Sequence, residues 1–149
     1  MAGPPPIVVL AAVLVGLIVL VENMTKGTTM RARSGSFFAF ANAIAFAEGF
    51  GVAGAIPTVR NNPGDLKLPS SFPEITTFAS PALGWEALYR QLDYIRVGGS
   101  LYQPTMTIGQ VARVWTATEQ TAWTNNVLAS MRSQGYAVNA DTIIGDVLS

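Results

Sequence analysis

The first 21 residues of this 149-residue chain carry no charged side chain, and Ile7 to Val21 (IVVLAAVLVGLIVLV) is apolar throughout, with one glycine. A run of that kind must be covered by lipid or by protein, so it divides the chain into an apolar N-terminus and a separate body. As a helix, Ile7 to Val21 would extend about 22 Å, against a hydrocarbon core about 30 Å thick. Pro4 to Pro6 can open such a helix but cannot continue one. The segment has no basic stretch before it and no small-x-small cleavage pattern directly after it, which argues against a secretory signal. The expectation is a helix over 1–21 that either anchors the chain in a membrane or is buried in a larger assembly such as a virus particle. Lys26, Arg31 and Arg33 follow the run. The positive-inside rule would keep the following body on the cytoplasmic side of a membrane, whereas burial in a virion carries no such conflict.

Residues 22–36 (ENMTKGTTMRARSGS) are rich in Thr, Ser and Gly and read as a linker. The body is then 37–149. Since the apolar segment adds nothing evident to a core, a chain starting near Ser34 is expected to fold alone. Composition narrows the chemistry of that body. With no His and no Cys, the chain has no imidazole triad, thiol nucleophile or zinc-thiolate site. Nine Lys+Arg against nine Asp+Glu leaves no basic surplus to neutralise phosphates, so nucleic acid is not an expected partner. No cofactor or metal is expected. Any chemistry falls to carboxylates.

The body reads as mainly helical. Phe37 to Phe50 has Ser34 or Ser36 to cap it and Gly49 and Gly51 to end it. Phe37, Ala41, Ile44 and Glu48 share one face. Gly51 to Ala82 lacks helical periodicity and holds five prolines. A loop that long is usually functional, and Ile75 to Phe78 is its best short-strand candidate. Helices are expected again over Gly84–Val97, over Thr107–Ala117 with a Thr107–Gln110 capping box, and over Thr121–Gln134. A last short helix is expected behind an Asn139 cap.

Glu48 is the candidate catalytic residue. It puts an acid on the buried stripe of an apolar helix, at the C-terminal end where the macrodipole disfavours negative charge. Burial and dipole both favour the protonated form, which a general acid needs. The alternative is a solvent-facing Glu on a frayed last turn.

The order of residues that follows is informative. AEGF is succeeded by Val59-Arg60-Asn61-Asn62-Pro63-Gly64-Asp65-Leu66, then Phe78-Ala79-Ser80, Gly84-Trp85-Glu86-Ala87-Leu88, and VWTATEQTAWTNNVL from Val114 to Leu128. This set, over roughly residues 40–148, resembles the lysozyme-like domains of phages and bacteria related to lytic transglycosylases and endolysins. The resemblance implies a mainly helical lysozyme-like domain with a short irregular or β insertion. It implies cleavage of the β-1,4 bond between N-acetylmuramic acid and N-acetylglucosamine in peptidoglycan. Glu48 matches the family's acid, and Asn61, Asn62 and Gly64 match the loop beside it. Asp65 stands where the family usually has Asn, and Trp115 where an aromatic residue, commonly Tyr, lines the cleft.

Several roles stay open on sequence. Asp65 is either a second carboxylate, activating water for hydrolysis with inversion, or a turn acid accepting local N–H groups after Pro63-Gly64. The turn role is the expectation, and with it a 1,6-anhydro product, formed when the sugar's own 6-hydroxyl attacks. Asn61 and Asn62 either hold the loop or bond acetamido groups of the sugar. Arg60 pairs with Glu48 or Asp65, or meets peptide-stem carboxylates. Trp85, Trp115 and Trp123 fall on core stripes, Glu119 is placed to cap a helix, Glu74 is read as solvated, and four tyrosines are equal candidates for sugar stacking. The leading function is a wall-cleaving enzyme held at a membrane facing the wall, or in a virion. The alternatives are a non-catalytic virion or membrane-complex subunit and a glycan-binding module.

Overall fold

In a computed structural model of the protein, residues 31–99 and 101–149 are described. The expected helix over 1–21 and most of the 22–36 linker lie outside the described residues. The described chain is mainly α. It forms α1 (Gly35–Glu48), α2 (Ile56–Val59), α3 (Pro81–Val97), α4 (Ile108–Trp115), α5 (Gln120–Ser133) and α6 (Ile144–Leu148). Among the described residues no helix is long and apolar enough to cross a membrane.

α1 is the central helix. Ser34 caps it by accepting the Phe37 N–H, and Gly49 ends it in the left-handed region at φ 80°. Phe37, Phe40, Ala41 and Ile44 are fully buried. They meet Leu88, Leu92 and Ile95 of α3, Val127 and Met131 of α5, and Ile144 and Leu148 of α6 in one core. The α4 capping box forms as expected, with Thr107 and Gln110 satisfying each other's backbone N–H groups.

Four expectations need correction. Ile75 to Phe78 forms no strand. The Thr76 N–H bonds to Leu66 O and the Phe78 N–H to Arg60 O, each 2.9 Å, without a continuous ladder. The only β pairing among the described residues is an isolated Thr107–Ile143 bridge. α3 starts three residues earlier than expected, because Ser80 caps it and Pro81 suits a first turn. Asn139 caps a turn rather than the last helix. Its side chain accepts the Asp141 N–H, and α6 begins at Ile144 with no side-chain cap.

The fourth correction concerns Arg31 to Ser36, read as the end of the linker. This stretch packs on the body. The Arg33 guanidinium donates to Asp93 Oδ2 at 2.8 and 3.1 Å and lies over the rings of Phe37 and Tyr89. Arg96 donates to Asp93 Oδ1 at 2.6 Å and to the carbonyls of Arg31 and Ala32. Asp93 is only 1% exposed, so its charge depends on those two cations.

Candidate active site

α1 delivers Glu48 to the end of the molecule opposite this clamp. The Trp123 indole N–H of α5 donates to Glu48 Oε1 at 2.8 Å. Trp115, at the end of α4, lies 6.0 Å from Trp123 between ring centroids with the planes tilted by 30°. Tyr102 follows at 5.8 Å from Trp115. Three aromatic side chains thus form a wall beside one carboxyl group. Burial pushes the Glu48 carboxyl from the usual 4.5 up to about 7, helped by the charges of Asp65 and Glu119 and opposed by hydrogen bonding to Trp123 and Trp115. Burial also raises the Tyr102 phenol, which feels the Glu48 charge as well.

Gly49 to Val59 follows Glu48 directly in the chain. It contains no charged side chain, and Val52, Ile56 and Val59 are exposed. Thr58 fastens it, accepting the Gly51 N–H at 2.8 Å and donating to Gly49 O. The Asn61-Asn62-Pro63-Gly64 loop then docks on α3 through two glycines. A Cβ on Gly84 would stand 1.8 Å from Asn61 O, and one on Gly64 would stand 2.9 Å from a Leu88 methyl.

The two asparagines hold this loop. Asn62 is fully buried. Its Oδ1 accepts the Leu66 N–H, and its Nδ2 donates to the carbonyls of Leu66 and Thr76, each at 2.9 Å. Asn61 adopts φ 51° and donates from Nδ2 to Phe78 O at 3.0 Å. Asn62 has therefore spent its amide on backbone groups and has none to offer a sugar. Arg60 does not ion-pair with Glu48 or Asp65. Its guanidinium donates to Ile75 O and lowers the Asp65 pKa only through its charge.

Asp65 departs from the turn role. The N–H groups of the turn go elsewhere, Asp65 N–H to Asn62 O and Leu66 N–H to the Asn62 side chain. No hydrogen bond reaches the Asp65 side chain among the described residues, and its Oδ1 is buried without a partner. Burial raises its pKa, against the charges of Lys67 and Arg60.

Glu119 occupies the N-cap position of α5 but its side chain caps nothing. It contributes charge to Glu48 instead. Trp123 serves both the core and the site, and Trp115 stands beside Glu48. Trp85 lies apart with Phe50 and Tyr89. Glu74 is exposed on the loop. Sequence reasoning missed Trp123 as the donor to Glu48 and could not single out Tyr102 from the four candidate tyrosines Tyr89, Tyr94, Tyr102 and Tyr136. Helical periodicity marks an indole as core and says nothing about where its N–H points. No group of three or more His, Cys, Asp or Glu that could hold a metal ion occurs among the described residues. No family model matches the chain, and no curated protein or solved structure matches it either.

Proposed function

We propose that the protein cleaves the β-1,4 glycosidic bond between N-acetylmuramic acid and N-acetylglucosamine in peptidoglycan, with Glu48 as general acid. The observation that carries the reading is the state of Glu48. A carboxyl group that titrates near pH 7, on a rigid helix end and held by an indole N–H, can deliver a proton to a glycosidic oxygen at neutral pH. The aromatic wall of Trp115 and Tyr102 offers apolar surface for a pyranose ring. The ordered motifs add to this, since their resemblance to lysozyme-like domains of the lytic transglycosylase and endolysin type points to the same chemistry. On this reading residues 7–21 hold the enzyme at a membrane facing the wall or inside a virion, where it opens the wall locally.

Glu48→Gln tests the assignment. The amide keeps the volume and the acceptor for Trp123 but has no proton to give. The variant should lose on the order of 10²–10⁴ in the rate of glycan cleavage from purified walls. A variant as active as the parent would refute the assignment. A parent that binds walls without cutting them would instead be a glycan-binding module. One that does neither would fit a structural subunit of a virion or membrane complex.

A further inference from the structure

We infer that an aromatic face of the body, formed by α1, Phe50 and α3, lies on the surface of the bilayer that residues 7–21 anchor. This rests on the membrane reading of residues 7–21 and goes further, because it gives the body an orientation.

Phe38, Asn42 and Phe46 recur every four residues and form the exposed stripe of an otherwise largely buried helix. Phe38 is 40% exposed and Phe46 61%. α1 carries no charged side chain before Glu48. On the α3 side the stripe continues through ring contacts. Phe38 meets Tyr89 at 5.4 Å between centroids, Tyr89 meets Trp85 at 5.9 Å, and Trp85 meets Phe50 at 5.6 Å. Trp85, Tyr89 and Phe50 are each half-buried. Scattered apolar side chains need no explanation, but a contiguous aromatic face marks a binding surface.

Three observations name a bilayer as the occupant. Trp and Tyr, each with an apolar body and a polar tip, favour the boundary between lipid and water. The chain enters at one end of the face, since the Arg33 guanidinium lies 5.2 Å over the Tyr89 ring and Arg96 donates to Arg31 O at 3.0 Å. From Val21 to Arg31 the chain can extend at most about 35 Å, and α1 is about 21 Å long, so the whole face stays within reach of the membrane. Cations gather at the same end, with Arg31, Arg33, Arg90 and Arg96 set against Glu86 and Asp93. That surplus complements lipid phosphates.

Other occupants fit less well. Residues 1–21 carry no acid and offer those cations nothing. A glycan strand needs flat rings to stack on, whereas Phe38 and Tyr89 meet at 87° and Phe50 and Trp85 at 82°. The orientation also suits the proposed enzyme. Phe46 and Glu48 are two positions apart on a helix and project about 200° apart. With Phe46 against lipid, Glu48 faces away from the bilayer.

The chain contains no Cys, so a single introduced Cys carries the only spin label. Full-length Asn42→Cys and Phe46→Cys, both at exposed positions outside the core, are labelled and reconstituted into vesicles of phosphatidylethanolamine and phosphatidylglycerol. Arg113→Cys is the control, exposed on α4, which packs against α5. Collisions with oxygen and with a water-soluble nickel chelate report depth. The expected result is a label depth of about 5–10 Å at Asn42 and Phe46, with the Arg113 label in water. Labels at Asn42 and Phe46 as open to the chelate as that at Arg113, in chains that float with the vesicles, overturn the inference and leave the anchor reading standing. Chains that do not float overturn both. Labels already shielded before vesicles are added give the face to residues 7–21 or to a second copy, which also overturns it. Wall cleavage by the parent is scored separately, so the reading of Glu48 stands or falls on its own.

Discussion

Removing the Glu48 charge should stabilise the protein at alkaline pH, whatever its effect on activity. The carboxyl has an ordinary pKa of 4.5 when exposed and titrates at about 7 in the fold. Between those values the native state binds more protons than the unfolded chain, so stability falls as pH rises through this window. A shift from 4.5 to about 7 corresponds to roughly 3 kcal/mol, and partial exposure of the group lowers that to about 2–3 kcal/mol. The contribution is fully present below pH 4.5 and lost above about pH 7. Glu48→Gln keeps an acceptor for the Trp123 N–H and removes the repulsion from Asp65 and Glu119. Urea unfolding of parent and variant from pH 4 to 8.5 measures the difference. The variant should match or fall slightly below the parent at the acid end and exceed it by about 2–3 kcal/mol at pH 8.5. Burial of Asp65 also lowers stability with rising pH, but both proteins share it and it cancels in the comparison. Parallel stability curves across this range would show that Glu48 is not desolvated in the fold, and the case for it as a neutral-pH acid would fail with them.

Two further outcomes follow from packing. Gly84→Ala places a Cβ 1.8 Å from Asn61 O, so the loop must move off α3. The expected cost is about 1–3 kcal/mol in urea unfolding, together with a loss of wall cleavage larger than the stability change explains. Arg33→Ala leaves Asp93 with Arg96 alone, and should cost about 3 kcal/mol, the low end for breaking a buried ion pair. A chain starting at Ser34 should show the same loss, whereas one starting before Arg31 should not. Equal unfolding midpoints for those two chains would show that the Arg33 clamp carries no stability.

The local elements were legible in the sequence because their causes are local. The Ser34 cap, the Gly49 stop and the Thr107–Gln110 box each join residues a few positions apart, and the spacing of Phe37, Ala41 and Ile44 marks three buried positions of α1, whereas the burial of Ala39, Phe40, Ala43 and Ala45 around the rest of the helix follows from its central place in the fold. That spacing also brought Glu48 forward as the acid. Its partner could not be read in the same way. Trp123 lies 75 residues further on, and helical spacing marks it as apolar while leaving its N–H unassigned. Asp93 meets Arg33 across 60 residues, so a stretch with linker composition proved to be part of the body. The Asn-Asn-Pro-Gly loop was visible as a motif, yet the sequence allowed its asparagines both roles, holding the loop and bonding the sugar. Only the fold shows that Asn62 spends its amide on Leu66 and Thr76 and that Asp65 keeps an acceptor free. Short-range hydrogen bonds and side-chain periodicity are written along the chain. The satisfaction of a buried polar atom depends on every segment packed around it, and that is settled only when the chain has closed on itself.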